Sequence, residues 1–202
     1  CSKPSDWRTP QVPCYGTGIT TAGIPVQDPA RIKALHVDYM CPILDWIHPL
    51  NVSACERAGL PMWMYTSLEP WKSYCNFRLD NLLYEARLIF WQTAQLRLTG
   101  FLYWGLNQWN HDPTLSRAPI NVSALTSPYI DPRQWSPMQT GSPNDVGDGQ
   151  LLFPSADGMP LATARLHNIR DGLEDHSYLT LLRELPGGDA AVQKATAALS
   201  DP

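Results

Sequence analysis

Aromatic faces and amide groups gathered on short apolar runs are the chemistry-bearing feature of this chain. Residues 100–109 read Gly-Phe-Leu-Tyr-Trp-Gly-Leu-Asn-Gln-Trp and lead into a loop containing Asp112-Pro113. The run predicts an apolar strand whose end delivers Trp104, Asn107 and Trp109 into a rim. Indole faces stack on the C–H-rich faces of sugar rings, and amides hydrogen-bond hydroxyls. The run therefore suits a carbohydrate, although the same aromatics would also serve to fill a core. A second run, Met62-Trp63-Met64-Tyr65, places Trp63 and Tyr65 on one face by alternation. Tyr65 is nearer the C-terminal end and is the better sugar contact; the alternative is a core tyrosine bonded to backbone. Tyr39 and Trp46, associated with an earlier strand, are weaker candidates of the same kind. Asn107 would read a hydroxyl or an acetamide, and Trp104 or Trp109 would form a stacking floor.

Other chemistry is poorly represented. Asp38 and Asp45 are the carboxylates expected near the end of the second strand, where they could hold a hydroxyl or an arginine. His36 opens that strand at its opposite end and reads as structural, and the His111-Asp112 pair is a common dipeptide. Ser67 and Ser73 lack the strand–turn–helix setting of a nucleophile elbow. No glycine-rich phosphate cradle follows any strand. The five cysteines, Cys1, Cys14, Cys41, Cys55 and Cys75, all lie in the first 75 residues, with no CxxC pair and no His at matching spacing. A zinc site is not expected, nor is any other cofactor. Cys41 should end the second strand and Cys75 follow the third, so a Cys41–Cys75 disulfide is expected on one rim. Cys1 and Cys14 would pair within the N-terminal segment, leaving Cys55 free. The sequons Asn51-Val-Ser53 and Asn121-Val-Ser123, with the clustered cysteines, point to a secreted or extracellular glycoprotein.

The elements that must position these residues follow from periodicity and punctuation. The chain has 202 residues, 44% hydrophobic and 17% charged, enough for a substantial core. A net charge of -4 without a basic run argues against nucleic acid, and no apolar stretch has the length of a membrane span. A start at Cys1 suggests a piece of a longer polypeptide. Residues 1–17 read as an irregular Pro-rich lead-in. Strands are expected at 18–22, 36–41, 61–66 and 101–106. Helices are expected after Asp28-Pro29, near 50–58 with Gly59 as a left-handed cap, and from about Phe77 to Leu98 with Asn76 as cap and Gly100 as terminator. Residues 110–146 form a long rim loop. Residues 147–202 form a closing strand and C-terminal helices, the first over 163–185 with Leu166, Ile169, Leu173, Leu179 and Leu182 toward its buried side. Strand–helix alternation means an α/β fold with a parallel sheet, and four βα units over 18–109 are half of a (β/α)8 barrel.

The residues also carry a resemblance. Trp63-Met-Tyr-Thr, Asn76-Phe with its helix, residues 100–109, Gly147-Asp-Gly with Leu152-Phe-Pro154, and Arg165-Leu through Ile169-Arg-Asp-Gly-Leu-Glu-Asp175 to Tyr178-Leu occur in that order. Together they resemble the C-terminal half of the catalytic domain of glycoside hydrolase family 123, over about residues 18–185. The resemblance implies the C-terminal half of a (β/α)8 TIM-type barrel with a C-terminal helical extension. It also implies activity on β-linked N-acetylgalactosamine, with the substrate's acetamido group as nucleophile and an adjacent Asp-Glu pair in support. Such substrate-assisted enzymes depart from the usual two-carboxylate arrangement. That pair belongs to an earlier strand, and this chain contains no Asp-Glu dipeptide. Glu174-Asp175 is the reverse order, lies mid-helix, and reads as solvent-facing or ion-paired. No catalytic residue is therefore assigned here. The expected partners are a missing N-terminal half-barrel of the same polypeptide and a carbohydrate. The alternative is a non-catalytic extracellular structural glycoprotein or carbohydrate-binding pseudoenzyme on the same barrel.

Overall fold

The computed structural model describes residues 18–21, 29–70, 74–108, 147–155, 157 and 159–199. Cys1, Cys14, Trp109, Asn121 and the loop expected over 110–146 lie outside the described residues. Strands β1 (Gly18–Thr21), β2 (Tyr39–Pro42), β3 (Trp63–Thr66) and β4 (Gly100–Tyr103) alternate with helices α1 (Pro29–Ala34), α2 (Pro49–Arg57) and α3 (Glu85–Gln95). β1 pairs with β2 and β3 with β4, both in parallel. Parallel bridges Met40–Met62 and Ile43–Tyr65 join β2 to β3, so the strands lie in chain order. An antiparallel hairpin of β5 (Leu152–Pro154) and β6 (Pro160–Ala162) follows, then α4 (Ala164–Arg183) and α5 (Gly188–Thr196). The described strands form an open α/β run and do not close into a barrel.

Alternation divides the parallel strands into two faces. Met40, Met62 and Met64 turn toward the helices and join a buried core with Ile89 and Phe90 of α3. Trp63 and Tyr65 share the other face, as expected. Gly100 is the register partner of Trp63, and the indole covers it: a Cβ at position 100 would lie 2.4 Å from Trp63 Cε2. Tyr39 stacks on the same indole, with ring centroids 4.3 Å apart and planes at 22°. Tyr39, Trp63 and Gly100 are the first residues of their strands, so this stack fills the N-terminal end of the face that carries Tyr65.

Several expectations are corrected. The helix expected from Phe77 begins only at Glu85. Asn76 does not cap it. Its amide donates to the carbonyls of Ser67 (2.9 Å) and Pro70 (3.2 Å), and its oxygen accepts from the Phe77 N–H. These bonds hold the backbone against the loop after β3, while Phe77 packs edge-on against Phe101 and Tyr103. Tyr84 stands at the N-cap without a side-chain cap bond, and Glu85, the first helical residue, accepts from the Leu82 N–H of the preceding turn at 2.9 Å. Gly100 does not terminate α3; Arg97 does so in the left-handed region at φ 56. His36 precedes β2 rather than opening it, with φ 60 in the turn after α1. β4 ends at Tyr103, three residues earlier than expected, because residues 106–108 leave the parallel sheet to pair with 149–152. Gly59 takes the expected left-handed conformation, φ 64. On α4 the buried positions include Arg165, Gly172 and Leu179, whereas Leu173 is 51% exposed. Gly172 lets α4 approach α3: a Cβ there would be 2.6 Å from Phe90 Cδ2.

The expected Cys41–Cys75 disulfide is absent. Cys41, Cys55 and Cys75 are free, buried thiols. Cys75 belongs to the helix-side core with Met40, whereas Cys41, next to Met40 in the strand, turns to the opposite face. A β-sheet lies between the two sulfurs. Burial pushes both thiols up to about 12, with the Glu85 charge adding to the effect at Cys75.

Asp175 ties α4 to α3. Arg87 donates two hydrogen bonds to it (2.5 and 2.8 Å) and Trp91 Nε1 a third at 2.8 Å. These partners, the Arg87 bonds foremost, hold its carboxyl below the usual carboxylate value. A lowered carboxyl stabilises the fold above its unfolded pKa of about 4 and stops doing so as pH falls through the lower folded value. Asp175→Asn should therefore cost about 1–2 kcal/mol at pH 7, since Arg87 is itself half-exposed. Urea titrations at falling pH should show wild type and variant converging below about pH 4.

Two further outcomes follow from the packing. Gly100→Ala forces the Trp63 indole off the strand and should cost about 1–3 kcal/mol. Gly59→Ala meets nothing within 4 Å and carries only the backbone strain of a left-handed residue, about 1 kcal/mol. Chemical denaturation should rank Gly100→Ala below Gly59→Ala in stability. At pH 8, a thiol reagent should label Cys41 and Cys75 only after denaturation; recovery of a Cys41–Cys75 peptide on non-reducing mapping would contradict the burial.

Candidate functional site

Parallel strands bring their C-terminal ends to one edge. From that edge leave residues 43–48 after β2, 67–70 after β3 and 104–108 after β4. A turn at Gly147-Asp148-Gly149 lies against the last of these. Gln108 N–H donates to Gly149 O at 2.9 Å and Leu151 N–H to Leu106 O at 2.8 Å, and Asn107 bridges Gln150. Both glycines of the turn are left-handed, with φ 84 and 72. Side chains are also excluded there by space: a Cβ at 149 would lie 2.8 Å from Trp104 Cζ2, and one at 147 would lie 2.7 Å from Leu79 Cγ.

Asp148 is 1% exposed. One carboxylate oxygen accepts from the Tyr103 hydroxyl at 3.0 Å and the other from Trp104 Nε1 at 2.9 Å. The Tyr103 hydroxyl in turn accepts from the Gly149 N–H at 2.7 Å. Burial, then the Asp148 charge, push the Tyr103 phenol up, so it stays protonated and donating. The turn itself is held by Arg165. Its buried guanidinium donates to the carbonyls of Phe77, Gly147 (3.2 Å) and Gln150 (2.5 Å). Burial lowers the Arg165 pKa, yet a guanidinium titrates so high that it remains charged.

The sequence candidates divide between the two ends of the sheet. Tyr65 stands toward the C-terminal edge, half-buried. Burial raises its phenol, a Ser67 hydrogen bond opposes this, and the charges of Asp148 and Cys41 raise it further. Trp104 lies just beyond β4 and is 38% exposed. Asn107 is exposed, and its amide has no partner among the described residues. Trp46 stands in a 3-10 turn (Leu44–Trp46) leaving the same edge and is exposed. Beside it, burial raises the Asp45 carboxyl, a backbone hydrogen bond opposes this, and the Glu69 charge raises it further. Tyr39 is not brought to this edge; it belongs to the Trp63 stack at the opposite end. Asp38 precedes β2 and lies at that opposite end as well. Trp109 and Asn121 lie outside the described residues, and Asn51 occupies the first turn of α2. Glu174-Asp175 is structural, as expected, with Asp175 engaged by Arg87 and Trp91.

The sequence reading missed Asp148, Tyr103 and Arg165 as parts of the rim. The available signal was the triplet Gly147-Asp148-Gly149, since a short carboxylate between two glycines marks a tight turn that presents its side chain inward. The edge thus carries the exposed Trp104 and Asn107 and the half-buried Tyr65. Among the described residues no cluster of side chains could ligate a metal, and no helix is long and apolar enough to cross a membrane.

No curated protein matches the chain significantly. A family model described as "Glycoside hydrolase 123, catalytic domain" matches residues 17–182, from the residue before β1 into the last turn of α4. That span includes the strand-end aromatics, the Gly-Asp-Gly turn and the Arg165 anchor. The chain belongs to the glycoside hydrolase 123 catalytic-domain family.

Proposed function

We propose that this chain forms one wall of the sugar site of a glycoside hydrolase domain acting on β-linked N-acetylgalactosamine. The single observation that carries this reading is that Trp104 and Asn107 are both exposed on the segment that leaves the C-terminal edge of the parallel strands. Parallel βα units in chain order support a (β/α)8 barrel, in which active sites lie at the C-terminal strand ends. On this reading Trp104 supplies the stacking face, Asn107 bonds a hydroxyl or the acetamide, and Tyr65 lines the wall below, with Trp46 at the margin and Trp109 as a further aromatic. The two sequons support a secreted or extracellular setting.

The reading includes the substrate-assisted chemistry that family membership suggests. An Asp would orient the acetamide while a neighbouring Glu served as general acid and base. Both would come from a segment outside this chain, which has no Asp-Glu dipeptide. That same fact favours a second reading, a carbohydrate-binding protein of the same fold without the catalytic pair. Hydrolysis of a β-N-acetylgalactosaminide by the full-length protein supports the first; binding of the sugar without turnover supports the second.

The site is tested by calorimetric titration of N-acetylgalactosamine into the full-length protein. Because Asn107 is exposed, a hydrogen bond from its amide is worth about 0.5–1.5 kcal/mol, and Asn107→Ala should weaken binding about 2- to 10-fold. Tyr178→Phe, on the exposed side of α4, should leave the affinity unchanged. Equal affinities for wild type and Asn107→Ala, with wild type binding measurably, would remove Asn107 from the site.

A further inference from the structure

We infer that Asp148 is a positioning residue for the sugar-stacking face: it sets affinity by fixing the Trp104 indole and does not itself touch the sugar. The inference rests on the rim being the sugar site. Trp104 lies past the end of β4, where no strand pairing holds it, and part of its surface is open to solvent. A tryptophan so placed would ordinarily sample several rotamers, and binding would have to select one. Ordering such a side chain at an interface costs enough to weaken affinity about 2- to 10-fold.

Three constraints remove that freedom. The indole N–H is held by one Asp148 oxygen at 2.9 Å. The benzo edge rests on the turn, where only a glycine at 149 leaves room for Cζ2. The carboxylate cannot rotate freely, because its second oxygen accepts from Tyr103, whose hydroxyl is fixed by the Gly149 N–H. Arg165 anchors the backbone on both sides of Asp148 through the Gly147 and Gln150 carbonyls. The carboxylate is 1% exposed whereas the indole is 38% exposed, so a ligand meets the indole and not the carboxylate. The charge has a second consequence. A carboxylate bonded to the indole N–H makes the ring more electron-rich, and a more negative face attracts the partly positive C–H groups of a pyranose more strongly.

The test is a double-mutant cycle in the full-length protein, with N-acetylgalactosamine affinity read by calorimetry for wild type, Asp148→Asn, Trp104→Phe and the double variant. Asp148→Asn should weaken binding roughly fivefold, within the range for releasing one ordered side chain. In the Trp104→Phe background, which has no N–H to hold, the same substitution should change affinity by less than about twofold. The Trp104 indole N–H proton resonance, identified by its loss in Trp104→Phe, should shift in Asp148→Asn. Equal losses in both backgrounds would show that Asp148 acts independently of Trp104 and would overturn the positioning role alone. Unchanged affinity in Trp104→Phe would overturn the sugar-site reading and the inference with it. If Asp148→Asn does not fold, Tyr103→Phe keeps the carboxylate while freeing one of its oxygens. Its loss of affinity should likewise vanish in the Trp104→Phe background, and a loss that persists there overturns the inference.

Discussion

A buried cation organises the rim. Arg165 enters the protein from the first turn of α4 and finds carbonyl oxygens on the Phe77 segment and on either side of Asp148. Moving an ion out of water is costly unless its donors are satisfied. The fork of a guanidinium can meet several carbonyls at once, which an ammonium cannot do with the same geometry. The carbonyls come from two segments far apart in sequence, one at 77 and one at 147 and 150. Satisfying one side chain therefore brings the loop after β3, the Gly-Asp-Gly turn and α4 together. The orientation of Asp148, and through it Tyr103 and Trp104, follows from that meeting.

The face of the sheet beneath the rim is graded from one end to the other. At the N-terminal end Tyr39 and Trp63 stack above Gly100, a half-buried aromatic pair that requires the absence of a side chain at position 100. Cys41, Tyr65 and Leu102 occupy the middle. At the C-terminal end the residues become polar and more exposed: Trp104, Asn107, Trp46 and Asp45. Packed aromatic rings at one end and exposed polar groups at the other are thus separated along strands only four residues long. The thiols follow the same layering. Cys41 and Cys75 are divided by the sheet, and the low dielectric around each disfavours the thiolate that disulfide exchange needs.

The helices on the far side do different work. Gly172 admits α4 close to α3, and Asp175 then fastens the pair through Arg87 and Trp91. The acidic dipeptide that includes Asp175 is thus committed to a helix–helix contact distant in role from the strand ends. Arg183 and Arg97 both reach Asp189 and attach α5 to the same pair. Helices α4 and α5 together form a clamp, and Arg165, in the first turn of α4, also closes the rim.

Local chemistry by itself determined the class of fold and the placement of its elements. Apolar runs punctuated by Gly and Pro set four strands in parallel alternation with helices, Gly59 and Pro29 marked helix ends, and alternation put Trp63 and Tyr65 on one face. Those features depend on near neighbours in sequence, so they were legible. Candidate aromatics such as Trp104 and Tyr65 were legible for the same reason, since they stand at strand ends. Tertiary structure alone decided the rest. Tyr39 is drawn to Trp63 and away from the rim, because ring stacking between strands depends on register. The segment from Asn76 to Tyr84 leaves the helix, because buried Asn76 and Arg78 bond a loop that helical periodicity cannot see. Cys41 and Cys75 lie on opposite faces, because one residue of shift in a strand reverses a side chain's direction. Asp148 enters the site through hydrogen bonds spanning more than forty residues, a distance over which sequence pattern carries no geometric information.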